Sequence, residues 1–235
     1  MFITDNKSLN YSKKTRQKKN IRFLILHYTG MQSARVSLNR LKNPKSKVSC
    51  HYFIERNGKV CRMVEDNKTA WHAGKSKWKH FNNLNKYSIG IEIQNKGHLI
   101  KYQNFTKKQI SSLVKLIKKL LKKYKIKKKN VLGHSDIAPL RKLDPGEKFP
   151  WKFLSKKGAA NWYRKYKDKK FDYDLKTKRR IFFKNIYKIG YRFFNLSKQS
   201  KKDRKIILAF QRRYLPKEMN GKITNKTLII SQLLA

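Results

Sequence analysis

The segment Thr106–Tyr124 constrains most strongly what this chain can fold into. Ile110, Leu113, Val114, Ile117, Leu120, Leu121 and Tyr124 recur at the spacing of one helix face, and lysines fill the other side. Thr106, with Gln109 three residues on, has the form of a capping box at the helix start. A helix with a single apolar stripe has to lay it on another apolar surface. Strand-like runs stand on either side of it in sequence: Phe23–His27 and Ile89–Gln94 before, Val131–Leu132 after. Along Ile89–Gln94 the isoleucines point one way and Gly90, Glu92 and Gln94 the other. This order of elements predicts an α/β sheet domain followed by a small all-α helical module. A short helix over Ser33–Leu41, closed by Asn43-Pro44, and a hairpin of Cys50–Ile54 with Lys59–Val64 complete the pattern. Residues 1–20 are polar and basic and read as an extended N-terminal arm. The sheet domain spans 21–167. Residues 168–180 turn to charge without apolar periodicity and read as a linker, leaving 181–235 as the helical module.

The hairpin bears on the two cysteines. Asn57-Gly58 reads as a two-residue turn. That register sets Cys61 against Ile54, with Cys50 further along the same face. Four residues of strand then separate the thiols by roughly 13 Å, beyond disulfide reach. Two free, buried thiols fit a reducing compartment. The first residues lack the apolar centre of a signal peptide, and no run approaches the roughly 20 apolar residues of a membrane span. The cytoplasm is therefore the expected location, with export to the envelope by another route as the alternative.

Charge is the outlying feature of the composition. Sixty-one Lys and Arg against 13 acids give a net charge of +48. Such a field attracts polyanions. The lysines are spread along the chain, however, and accompany much Ile, Asn, Phe and Tyr, all residues with A/T-rich codons. Codon bias accounts for the excess as readily as selection does, so nucleic acid is not the expected partner.

His27 ends an apolar run, His134 follows Val131-Leu132-Gly133, and Asp144 precedes Pro145-Gly146 on a sharp turn. Two imidazoles and a carboxylate on rigid strand ends leave the fourth tetrahedral position of Zn2+ open, which is the mark of a catalytic zinc. Glu92, a lone acid on the second face of an apolar strand, is the candidate base for a metal-activated water.

The neighbours of these residues form ordered motifs: Leu26-His27-Tyr28-Thr29, Val48-Ser49-Cys50-His51-Tyr52, Ala70-Trp71-His72-Ala73-Gly74, Ser88-Ile89-Gly90-Ile91-Glu92 and Gly133-His134-Ser135-Asp136-Ile137-Ala138-Pro139. Arg141-Lys142-Leu143-Asp144-Pro145-Gly146 and Phe149-Pro150-Trp151 follow. From Arg22 to Trp151 the chain resembles the zinc-dependent N-acetylmuramoyl-L-alanine amidases of the type 2 amidase family. The resemblance implies an α/β fold with a central mixed β-sheet flanked by helices, and hydrolysis of the amide joining N-acetylmuramic acid to L-alanine in peptidoglycan or muropeptides. It implies His27, His134 and Asp144 as zinc ligands and Glu92 as general base. It also sets Lys142 beside the metal, to stabilise the oxyanion. Arg141 is a candidate for binding a peptide carboxylate, and Trp71 and His72 for lining a sugar or peptide groove. Asp136 is a candidate partner of the ligands, His51 a buried structural residue, and His80 and His98 surface residues. The alternative to an enzyme is a non-catalytic peptidoglycan-fragment receptor on the same scaffold.

The tail carries Ile186-Tyr187-Lys188-Ile189-Gly190-Tyr191, then Ile207 to Tyr214, then Gly221-Lys222-Ile223-Thr224. It resembles the small three-helix peptidoglycan-binding domain, although the usual acid in the Gly221–Thr224 turn is missing. A helical cap supporting the catalytic domain is the other reading.

Overall fold

The computed structural model describes residues 3–235. In chain order the elements are β1 (Ile3–Asp5), β2 (Tyr11–Ser12), β3 (Phe23–Tyr28), α1 (Ala34–Lys42), β4 (Tyr52–Ile54), β5 (Val60–Arg62), β6 (Thr69–Ala70), β7 (Lys77–Trp78), β8 (Phe81–Asn82) and β9 (Ser88–Ile93). There follow α2 (Lys107–Tyr124), β10 (Val131–Gly133), α3 (His134–Ile137), α4 (Trp151–Lys156), α5 (Leu175–Ile189), α6 (Asp203–Tyr214) and α7 (Asn225–Leu234). The main sheet has six strands in the order β1-β5-β4-β9-β3-β10. It is mixed, as expected: β4, β9, β3 and β10 run parallel, and β5 lies antiparallel to β4.

Strand alternation sorts the side chains into two cores. Leu24, Leu26, Ile89, Ile91 and Ile93 meet the α2 stripe of Ile110, Leu113, Ile117 and Leu120. Thr106 closes the predicted capping box on α2, its hydroxyl accepting the Gln109 N–H at 3.1 Å while Gln109 Oε1 accepts the Thr106 N–H at 3.0 Å. Phe23, Ile25 and Leu132 face the other way and are covered by Phe182, Phe183, Ile186, Phe210 and Leu228 from α5, α6 and α7. The three C-terminal helices are thus present, but they share one core with the sheet and do not form a module apart from it.

Three boundaries differ from the sequence reading. From Ile3 on, the arm is extended, as read, but docked on the sheet domain: β1 pairs with β5 at the sheet edge, β2 pairs with β6, and the Arg16 guanidinium donates to the carbonyls of Asp66, Asn85 and Ser88. Polar residues suit this role, because an edge strand needs backbone partners more than an apolar face. The hairpin turn is one residue longer than expected. Glu55 pairs with Lys59 around Arg56-Asn57-Gly58, with Gly58 at φ +87°, so Cys61 opposes Phe53 and not Ile54. Both cysteines are nonetheless free and buried. Finally, the irregular segment ends at Asp174, whose carboxylate caps α5 by accepting the Thr177 N–H at 2.7 Å. Helix therefore begins inside the stretch read as linker.

Candidate active site

The site lies where β3, β9 and β10 end, the usual place for ligands on a parallel sheet. His27 leaves β3 on the face of Phe23 and Ile25, directly beside Glu92 in the β3–β9 register. His134 is the first residue of α3, immediately after β10. Asp144 lies on the turn that follows, tied to α3 by the Ser135 N–H bond to its carbonyl at 2.9 Å. These three form the one cluster among the described residues with the donor set for a metal ion.

The three facing atoms make a nearly equilateral triangle. His27 Nδ1 and His134 Nδ1 are 2.9 Å apart, and each is 3.0 Å from Asp144 Oδ2. Their hydrogen-bond partners fix which ring nitrogens carry protons. His134 Nε2 faces the Ala73 carbonyl at 3.0 Å, and its other neighbour, Arg141 Nη2 at 3.3 Å, directs its two hydrogens to the Ala73 and Lys75 carbonyls, so Nε2 is protonated and Nδ1 is bare. For His27 the assignment is relayed. Ser88 donates its hydroxyl to the Leu84 carbonyl at 2.6 Å and thus accepts from His72 Nε2 at 3.3 Å. His72 Nδ1 is then an acceptor for His27 Nε2–H at 3.0 Å, which leaves His27 Nδ1 bare as well. Two lone pairs and a carboxylate oxygen converge with no proton among them, and only a cation satisfies all three. Tetrahedral zinc bonds of about 2.0–2.2 Å space ligand atoms roughly 3.3–3.6 Å apart, so the triangle needs to open by only about half an ångström. Burial, then the neighbouring His134, lower the His27 pKa to about 4, which favours the neutral, ligating ring.

His72 borders the cleft over the triad, as expected, but presents little of its ring there. It is buried, both ring nitrogens are occupied by protein partners, and it sits between His27 and His51 with edge-to-face ring centroids at 5.1 and 5.6 Å. It fits there only because Gly90 lacks a side chain: a Cβ at that position would lie 2.3 Å from His72 Cγ. His51 is structural, as read, accepting the Gly90 N–H at 3.0 Å.

A cleft of about 580 Å³ opens over the triad, lined by Glu92, Lys142, Trp71 and Tyr28 among others. Glu92 Oε2 is buried without a hydrogen-bond partner among the described residues. Burial and then the Asp144 charge push its pKa well up, and Lys142 opposes this from across the site. Trp71 is half-buried, with its indole N–H toward Ser12 Oγ at 3.4 Å. Arg141 is largely committed elsewhere: Nε and Nη2 donate to the Lys75 carbonyl at 3.1 and 3.0 Å, and Nη2 also to that of Ala73. The guanidinium clamps the 73–75 loop over His134, leaving only Nη1 for a ligand. Asp136 bonds not to the triad but to Gly133 N–H, Tyr191 and Arg213. His98, read as a surface residue, also lines the cleft, accepting the Tyr28 hydroxyl at 2.8 Å and facing Glu147 at 3.0 Å. His80 is exposed. No motif surrounds His98, and only its neighbours in space reveal its place.

Known proteins resemble the chain in sequence and shape. A family model described as N-acetylmuramoyl-L-alanine amidase matches residues 17–147. The N-acetylmuramoyl-L-alanine amidase AmiD of Escherichia coli (strain K12) is 32% identical over 234 residues, 91% of this chain and 82% of that protein. The 1,6-anhydro-N-acetylmuramyl-L-alanine amidase AmpD of Haemophilus influenzae is 42% identical over 111 residues, 46% of this chain and 58% of that protein. A solved structure of E. coli AmiD, in complex with the substrate anhydro-N-acetylmuramic acid-L-Ala-D-gamma-Glu-L-Lys, superposes with a TM-score of 0.82 at 29% identity, covering 95% of this chain and 91% of that one.

Proposed function

The chain belongs to the N-acetylmuramoyl-L-alanine amidase family, and from that premise we propose how its own residues carry out the reaction. It is an amidase that hydrolyses the bond between N-acetylmuramic acid and L-alanine in muropeptides or peptidoglycan. The AmiD complex makes anhydro-muropeptides the substrates to try first. His27, His134 and Asp144 hold the zinc. The observation that carries this is the convergence of two bare Nδ1 atoms and one carboxylate oxygen within 3.0 Å of one another. When bound, zinc acidifies a water and polarises the scissile carbonyl. Glu92 accepts the proton of the attacking water at Oε2, the buried oxygen that lacks a partner. It then delivers that proton to the L-alanine nitrogen as the C–N bond breaks. Lys142 supplies fixed positive charge to the oxygen of the tetrahedral intermediate. Trp71 borders the cleft that receives the substrate, and Arg141 holds the loop at its rim.

No helix of the described residues is long and apolar enough to cross a membrane. Cytoplasmic residence is part of the proposal, supported by the two free, buried thiols. Recovery of the native protein solely with the cell envelope would overturn it. Glycan binding by α5–α7 is a further part, supported by the order of the tail motifs.

The test is hydrolysis of a purified anhydro-muropeptide with zinc content measured in parallel. Stem peptide should be released, cease to appear with a chelator, and reappear when zinc is restored. Bound zinc with no cleavage of anhydro or intact substrate would refute the enzyme and favour a silent receptor.

A further inference from the structure

Two consecutive arginines of α6 reach toward the two loops that carry the triad. Arg213 and Asp136 form an ion pair whose side chains are only 3% and 1% exposed. Arg213 Nη2 donates to the Val131 carbonyl at 3.1 Å, and its guanidinium lies 4.0 Å over the Trp151 ring. Asp136 accepts the Gly133 N–H at 2.8 Å and the Tyr191 hydroxyl at 2.6 Å. The turn bearing His134 is therefore gripped at Val131, Gly133 and Asp136 by groups that converge on one guanidinium. Arg212 addresses the second loop. Its Nε is 3.8 Å from Glu147 Oε2, and Glu147 faces His98, which accepts the Tyr28 hydroxyl. Glu147 stands three residues past Asp144, and Tyr28 is next to His27.

We infer that Arg213, assisted by Arg212, is a positioning residue for the metal site, which makes the C-terminal helices a working part of the catalytic unit. A buried ion pair adds little net stability over apolar packing. What it supplies is direction, and here the direction runs to the residue two positions from His134. Held by Asp136, the Val131 carbonyl and the Trp151 ring, and buried, the Arg213 guanidinium takes no part in glycan binding. The inference rests on the triad being the zinc site.

The experiment compares full-length wild type with Arg213→Met, Arg213→Lys and the double variant Arg213→Met/Asp136→Asn. The double variant leaves no unpaired buried charge, so it serves if the single one does not fold. Amide exchange over residues 131–147 is read in metal-free protein, zinc affinity by competition with a chromophoric chelator, and kcat and KM with a muropeptide. Arg213→Met should speed exchange in 131–147 about ten-fold while α2 stays protected. Zinc affinity should fall roughly 10–100-fold, kcat should fall with KM nearly unchanged, and Arg213→Lys should recover part of each loss because it keeps charge without the fork. A folded single or double variant with wild-type exchange over 131–147 and wild-type zinc affinity would overturn the inference. A wild type that takes up no zinc would sink the metal reading of the triad, while the exchange data still decide whether Arg213 holds the loop.

Discussion

Replacing Gly90 by alanine tests the relay behind His27 with a single methyl group. An ideal Cβ at Gly90 comes within 2.3 Å of His72 Cγ, 2.5 Å of Cδ2 and 2.6 Å of Nδ1. Ordinary contact begins nearly an ångström further out. The ring has no room to retreat, with His51 behind it and its own nitrogens tied to His27 and Ser88. The backbone of β9 is held between β3 and β4 and cannot yield either. The collision must therefore break the 3.0 Å bond from His27 Nε2–H to His72 Nδ1. Overpacking costs about 1–3 kcal/mol, and the unmade buried hydrogen bond adds about 1 kcal/mol. Gly90→Ala should lose about 2–4 kcal/mol in urea unfolding of metal-free protein. With its tautomer and orientation released, His27 should also bind zinc roughly 10–100-fold more weakly, a loss of about 1.4–2.7 kcal/mol. Chelator competition measures this separately from folding. A variant as stable as wild type, with unaltered zinc affinity, would refute the relay.

Glu92→Ala should retain zinc and lose roughly 10²–10⁴-fold in kcat, and wild-type turnover would remove Glu92 as the base. Asp144→Ala should instead lower zinc content in the purified protein, which metal analysis checks directly. Acid stability offers a test remote from the cleft. Burial raises the pKa of Asp66, but hydrogen bonds from Tyr124, Lys123 and Tyr52 outweigh it and hold it below the usual value of 3.8. A depressed carboxylate stabilises the fold above its unfolded pKa, and that contribution is lost as pH falls through the folded one. Asp66→Asn should therefore cost about 2 kcal/mol at neutral pH, with the gap to wild type narrowing only below about pH 4. A gap independent of pH in acid unfolding curves would show that the charge contributes nothing.

Local pattern made the triad legible. His27 and His134 each close a run of strand-forming residues, and Asp144 precedes Pro145-Gly146, so each announces a rigid presentation without knowledge of its partner. The α2 stripe and the alternation around Glu92 were equally open to view, because helix and strand periods are written in neighbouring residues. What stayed hidden depends on distant contacts. β1 has no apolar pattern of its own and becomes a strand only against β5, more than fifty residues later. His72 stands in a motif that reads as a loop, and its burial follows from the absent side chain at Gly90. Arg213 is one among many basic residues until Asp136, 77 positions earlier, is set beside it. Turn geometry was misjudged at Gly58, where the αL residue of a three-residue loop passes for half of a two-residue one.

The shared core beneath the second sheet face bears on the order in which the molecule can be made. Phe23 and Ile25 leave the ribosome about 200 residues ahead of Phe210 and Leu228, which cover them. At roughly 5–20 residues per second, that separation amounts to about 10–40 s of synthesis. Over this interval the α2 side of the sheet is able to close while the opposite side still meets water. The nascent chain thus carries an adhesive apolar surface until α7 emerges, a demand on chaperones that the folded protein no longer shows.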